Sequence, residues 1–277
     1  MTPSSHTNGE REFPYWLAAG ILMVLAVAIF IASSDLYSQV LGTVAAGVSM
    51  TVFVALVAYA IACAVGLGVA LMGLSGSRVL REVARFYVEI IRGIPVLVLL
   101  FWIAFAGVPA FVAGWNAVMA PLREAGYVGE LLVRDVSLLW RAIIALAIGY
   151  SPFIAEIFRA GILAVDPGIV EAAKALGLTR YQRFRLIVMP QAFRVILPPL
   201  GNDFIAITKD SSLVSVLGVA DITQMGKVYA AGSFRFFETY SIVAYVYLLL
   251  TASLSLGLRA IEKRLRRAEA QRGNSRS

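Results

Sequence analysis

Residues 43–74 read TVAAGVSMTVFVALVAYAIACAVGLGVALMGL, with no charged side chain from end to end. A bilayer's hydrocarbon core is about 30 Å thick and is crossed by about 20 apolar residues of helix, so the stretch is longer than one membrane span needs. It lacks the alternation of apolar and polar residues that a barrel strand shows and is too long for one, which leaves a helix. Within it Ala58, Ala62, Gly66 and Ala70 recur at every fourth position and line one helix face with small side chains. Such a face lets a second helix approach closely. Membrane helices are rich in Ala and Gly in any case, so a packing seam and plain composition fit the stripe equally well.

Other apolar runs bounded by charge lie on either side, at 15–32, 86–112, 138–165, 192–219 and 240–261. The chain reads as an all-α polytopic membrane protein with about six transmembrane helices. Composition agrees: 60% of residues are hydrophobic, 15% are charged and mean hydropathy is +0.81, more apolar surface than one soluble core can hide. The solvent for most of the chain is membrane lipid. The run at 15–32 also fits a secretory leader, because Ala32-Ser33-Ser34 offers small residues after it. Against that, its apolar core exceeds the usual length of about 7 to 15 residues, and Glu10 and Glu12 flank Arg11 where a leader is positive.

The net charge of +7 gathers in two loops and the tail instead of spreading over a nucleic-acid face. Arg78, Arg81 and Arg85 follow the second run, Lys174, Arg180, Arg183 and Arg185 follow the fourth, and Lys263, Arg264, Arg266, Arg267, Arg272 and Arg276 follow the sixth. All fall on one side, while Arg123, Arg134, Lys227 and Arg235 on the other are offset by Glu124, Glu130, Asp135, Asp221 and Glu238. The bias puts both termini in the cytoplasm. Cys63 is the one cysteine and His6 the one histidine, which excludes a disulfide framework and a Cys/His metal cluster.

The basic loop at 166–190 carries explicit punctuation. Asp166 suits an N-cap, Pro167 the first helical position, and Gly177 the left-handed residue that ends a helix. Thr179 and Gln182 have the spacing of a capping box for a second helix, which Pro190 is expected to interrupt. The first of these helices carries Ala172, Ala173 and Ala175 beside Glu171 and Lys174, a small-sided surface that suits a groove in another protein. A connector lying on lipid headgroups would read the same way.

Glu171-Ala172-Ala173, Gly177, Ile187 and Pro190 together resemble the Glu-Ala-Ala loop of the membrane subunits of ATP-binding-cassette importers. Met189 stands where Leu commonly precedes that proline, a volume-conserving departure. The stretches 89–95, 155–162, 201–203 and 209–213 are similar to the polar-amino-acid branch of that family. The resemblance covers roughly 43 to the last run. It implies a five-helix permease core at 43–262, an added helix in 1–42 and a basic cytoplasmic tail at 263–277. It further implies that Glu171, Ala172, Ala173 and Gly177 couple to a cytoplasmic ATPase subunit, which holds ATP and magnesium while this chain binds no cofactor. The other implied partners are an extracytoplasmic amino-acid-binding protein and a second permease copy or paralogue, and the chain itself is placed in the bacterial cytoplasmic (inner) membrane.

Charges inside the apolar runs are the remaining candidates. Glu89 with Arg92, and Glu156 with Arg159, stand three apart, so each pair can meet on one helix face, as ties at the interface or as parts of a cytoplasmic gate. Their similar surroundings suggest a short internal repeat or a coincidence. In the fifth run Asn202, Asp203, Lys209 and Asp210 are substrate-path candidates. Asp203 and Asp210 share a face from which Lys209 points about 100° away, and an aspartate-lined path favours a cationic amino acid. The chain has no phosphate-binding loop, since Gly226-Lys227 is followed by Val228 and lacks the earlier glycine. An ion-gradient carrier using Asp203 is the main rival; an intramembrane enzyme lacks a metal cluster or Ser/His pair.

Overall fold

The computed structural model describes residues 15–274. His6, Glu10, Arg11 and Glu12 lie outside the described residues, as do Arg276 and the side chains of Arg266, Arg267 and Arg272.

Among the described residues every regular element is helical: α1 Tyr15–Ala32, α2 Asp35–Ala45, α3 Val48–Gly73, α4 Arg78–Arg92, α5 Val96–Trp102, α6 Val108–Val118, α7 Ala120–Glu124, α8 Leu138–Leu163, α9 Pro167–Ala175, α10 Arg180–Arg183, α11 Met189–Asp210, α12 Ile222–Ser233 and α13 Phe236–Asn274. Asp35–Gly73, Val96–Val118, Leu138–Leu163 and Phe236–Arg264 are long and apolar enough to cross a membrane. Ala18–Ala32 is a shorter apolar helix. The expected fifth span at 192–219 is α-helical only to Asp210 and continues as a 3₁₀ segment over Ser211–Leu217, and Arg194, Asp203, Lys209 and Asp210 make it too polar to be identified by hydropathy.

Three boundaries differ from the sequence reading. The run at 86–112 is cut at Gly93-Ile94-Pro95, because the ring of Pro95 forces Ile94 out of helical geometry; the span begins at Val96. The run at 43–74 extends back to Asp35 through a turn at Ala46-Gly47, where a methyl on Gly47 would overlap the Asp221 carbonyl at the start of α12. Pro190 does not interrupt its helix. A π turn at Phe184–Val188 widens the coil just before it, and the chain runs helical from Arg180 to Asp210.

The centre is the pairing of α3 with α8. Ala58, Ala62, Gly66 and Ala70 are buried, and a Cβ on Gly66 would lie 2.8 Å from Ile154 Cγ2 and 2.9 Å from the Ser151 carbonyl. The stripe is therefore a seam, closed by contact between the two helices. Pro152 inside α8 cannot donate to the Ile148 carbonyl, and the Ser151 hydroxyl does so instead at 2.9 Å. The Tyr87 hydroxyl of α4 donates to Ser151 Oγ at 2.6 Å, so the residue beside Pro152 also ties α4 to α8.

A second apolar cluster joins α1, α2, α12 and α13 through Ile31, Val40, Val44, Ile222, Ile242 and Val246. The Tyr245 hydroxyl donates to the Val24 carbonyl at 3.3 Å. Other side chains of α1 are open, among them Leu22 and Ile29, each 71% exposed, the surface of a helix facing lipid.

Candidate functional site

The short helix α9 is closed at both ends by its own residues. The Asp166 carboxylate accepts from the Gly168 N–H at 2.8 Å, and Pro167 opens the helix without wasting a donor. At the other end Gly177 has φ +80°, its N–H donates to the Lys174 carbonyl at 3.0 Å, and the Leu178 N–H donates to the Ala173 carbonyl at 3.1 Å. These two bonds form a Schellman motif and leave no need for external caps there. Thr179 and Gln182 then start the next helix reciprocally: Gln182 N–H to Thr179 Oγ1 at 3.3 Å, and Thr179 N–H to Gln182 Oε1 at 2.9 Å.

Only one side of α9 faces the protein. Ala173 is buried, and Val170 packs against a cluster of Val165, Ala192 and Ile196 that also takes in Ile157, Phe158 and Ile162 of α8. Glu171, Ala172 and Gly177 are exposed, as are Ile169 and Leu176, the last at 81%. A capped rigid helix with apolar side chains turned outward on the basic side presents a surface that another protein can cover.

The charges inside the spans group differently from the i, i+3 expectation. Arg92 pairs across helices, with Nη1 2.7 Å from Glu156 Oε1, and its guanidinium lies 5.1 Å from the centre of the Phe153 ring. Arginine at the end of α4 reaches α8 more readily than it folds back on its own turn, because the two helices are held together by Tyr87 and Ser151. Glu89 and Arg159 instead line a cavity of about 300 Å³ between α3, α4 and α8. Glu156 borders this cavity and also a groove of about 430 Å³ between α8 and α11, whose lining includes Asp203, Phe153 and Pro199.

On α11 the shared face of Asp203 and Asp210 is turned inward and both are half-buried, while Asn202 and Lys209 are exposed. The Tyr150 hydroxyl donates to Asp210 Oδ2 at 2.8 Å. Asp203 Oδ2 is buried without a hydrogen-bond partner among the described residues. Leu200, one turn before it, has its carbonyl taken by the Tyr59 hydroxyl at 2.8 Å. The groove is thus lined by two carboxylates, that of Asp203 and that of Glu156, the second held by arginine.

Two further anchors escaped the sequence reading. Arg141 is 8% exposed and donates to the carbonyls of Val136 at 2.8 Å, Ala104 at 3.0 Å and Val133. Ala104 belongs to a π turn at Ile103–Gly107, which frees carbonyls for such capture. Asp221 caps α12 by accepting from the Gln224 N–H at 2.8 Å and takes the Tyr247 hydroxyl at 3.1 Å. A lone charge in or beside an apolar run was the available signal for each.

Known proteins resemble this chain over most of its length. The probable amino-acid permease protein YxeN of Bacillus subtilis (strain 168) is 36% identical over 207 residues, covering 75% of this chain and 84% of that protein. The glutamine transport system permease protein GlnP of Escherichia coli (strain K12) is 34% identical over 220 residues, covering 79% and 91%. Among solved structures, a chain of an amino acid ABC transporter crystallised with histidines superposes with TM-score 0.67 at 36% identity, covering 80% of this chain and 94% of that one. Residues 62–267 match the family described as "binding-protein-dependent transport system inner membrane component". The chain belongs to that family, as a membrane-embedded permease subunit that transports and is not itself an enzyme.

Proposed function

We propose that this chain moves a polar amino acid across the bacterial cytoplasmic (inner) membrane as the permease half of an ATP-driven importer. The observation that carries the reading is α9, closed at both ends, buried only along Val170 and Ala173, and open along Ile169, Ala172 and Leu176. Cytoplasmic ATPase subunits, which bind ATP and magnesium, seat against the exposed Glu171, Ala172 and Gly177, while Ala173, buried beneath them, ties the helix to this chain; this chain binds no cofactor. An amino-acid-binding protein docks on the opposite side, a second permease copy or paralogue completes the path, and both termini are cytoplasmic. The names of the relatives, amino-acid and glutamine permeases, support the substrate class.

Motion passes from α9 through packed side chains. Val170 touches the cluster containing Ile157, and Ile157 also lines the groove with Asp203. Closing of the ATPases shifts α9, and the rigid α8–α11 junction above it shifts the groove walls. In the groove, the Asp203 carboxylate meets the α-ammonium group of the amino acid; elsewhere on α11, Asp210 is held by Tyr150, and Asn202 and Lys209 are exposed. The same aspartates favour a cationic amino acid; import of glutamate but not arginine by the purified complex would discard that preference.

The deciding measurement is uptake of labelled amino acids by proteoliposomes containing the permease, its ATPase and its binding protein. ATP-dependent accumulation of one polar amino acid is expected. Uptake that persists without the ATPase and collapses with an ion gradient would instead make the chain a secondary carrier.

A further inference from the structure

Glu156 occupies a position that neither its own helix nor the coupling surface explains. Its side chain borders the groove containing Asp203 and the cavity containing Glu89 and Arg159, so it stands where the two spaces adjoin. Its carboxylate and the face of Phe153 hold one guanidinium between them, 2.7 Å from Oε1 and 5.1 Å from the ring centre. A carboxylate beside an aromatic face is the arrangement that recognises an organic cation, by charge-assisted hydrogen bonding and by attraction to the ring. Here the cation is supplied by the chain itself, on Arg92.

This pair is poorly suited to act as a lock. Arg92 and Glu156 are 42% and 41% exposed, and pairs open to that degree contribute about 0–1 kcal/mol because water screens them. The Tyr87–Ser151 hydrogen bond already ties α4 to α8 without it. An exposed, exchangeable ion pair between two cavities is instead a site whose occupant can change.

We propose that Glu156, with Phe153 beside it, is a second cation-binding station on the translocation path, and that Arg92 fills it while no substrate is present. The proposal rests on the import reading above. The α-ammonium group of the amino acid leaves Asp203, displaces the Arg92 guanidinium from Glu156, and so carries the molecule from the groove to the basic-side cavity. There Arg159 receives its carboxylate and Glu89 its ammonium. Arg92 returns to Glu156 behind it, restoring the occupied state. A tethered competitor lowers the apparent affinity of the station by the fraction of time that it is bound, which keeps the inner site weak enough to release its load.

Two measurements separate this from the reading beneath it. Uptake by the complete complex in proteoliposomes comes first, and a wild-type complex that accumulates no amino acid overturns import and the station together. For the amino acid that is taken up, equilibrium binding of the labelled molecule to the purified permease–ATPase complex is then compared between variants. Glu156→Gln is expected to weaken binding about tenfold and Arg92→Gln to tighten it about threefold, since one removes the acceptor and the other its competitor. The charge-swapped pair Arg92→Glu with Glu156→Arg restores a tie between α4 and α8 but is expected to bind as weakly as Glu156→Gln. Equal weakening by both single variants, with recovery in the swap, would show a structural tie and overturn the station while leaving import intact. Phe153→Leu keeps both charges and the fold; a severalfold loss of binding supports the station, and unchanged binding overturns it.

Discussion

Ala58, Ala62, Gly66 and Ala70 on α3 and Ala172, Ala173 and Ala175 on α9 are both rows of small side chains, but they end differently. The first row is covered within the chain, where Gly66 meets Ile154 and the Ser151 carbonyl. In the second only Ala173 is buried, and the helix keeps its shape through its caps. Small residues in the seam make room for a helix that is already present, whereas those of α9 other than Ala173 stay uncovered and, on the proposed reading, let α9 seat in a groove of the ATPase. On that reading added bulk acts on folding in the first case and on coupling in the second.

The largest effect should come from the seam. Gly66→Leu places side-chain atoms where Ile154 and backbone already lie, and overpacking of this kind costs typically about 1–3 kcal/mol or more. Loss of most monodisperse protein in size-exclusion chromatography is expected; a wild-type yield would mean that α3 and α8 separate easily. Gly177→Val comes next. No neighbour lies within 4 Å of a Cβ there, but φ +80° is strained for a β-branched residue by about 1–3 kcal/mol. Yield and helix content should hold while ATP-driven uptake falls about tenfold, with hydrolysis uncoupled from it. If coupling survives, the turn matters less than the surface it orients.

Leu176→Ala tests the open face of α9 directly. The side chain is 81% exposed, so its loss should leave the melting temperature unchanged yet weaken ATPase association by about 1–2 kcal/mol in a pull-down titration. Unchanged association would move the joint elsewhere on the loop. Thr179→Ala is expected to have the mildest consequence. It removes one half of a capping box worth about 1 kcal/mol, on a helix that π and α turns continue through Pro190. Faster amide exchange confined to 179–183 would register it, and exchange spreading into α8 would mean the loop and the spans are less separate than their packing implies.

Local signals carried the loop well. Asp166, Pro167, Gly177, Thr179 and Gln182 each act within a few residues of themselves, and each does what its side chain or backbone permits. The all-helical membrane fold was equally legible, because unbroken apolar runs admit little else. Pairings between distant segments were not. Nothing in 89–95 or 155–162 says that Arg92 turns to Glu156 instead of Glu89, since the choice depends on how α4 lies against α8. The passage of a helix through Pro190 depends on a π turn, a backbone adjustment with no residue signature of its own. Ile94-Pro95, by contrast, is a local break that hydropathy averaged over 86–112 hides. Of the candidate site, the carboxylates were visible as residues but their cavities were not.

Arg141 holds the end of the α3–α8 core farthest from α9 by donating to the carbonyls of Ala104, Val133 and Val136. One side chain thus joins the π turn at Ile103–Gly107 to the connection that leads into α8. Losing that side chain would strand three carbonyls at once and leave the connection into α8 without its hold on the span before it.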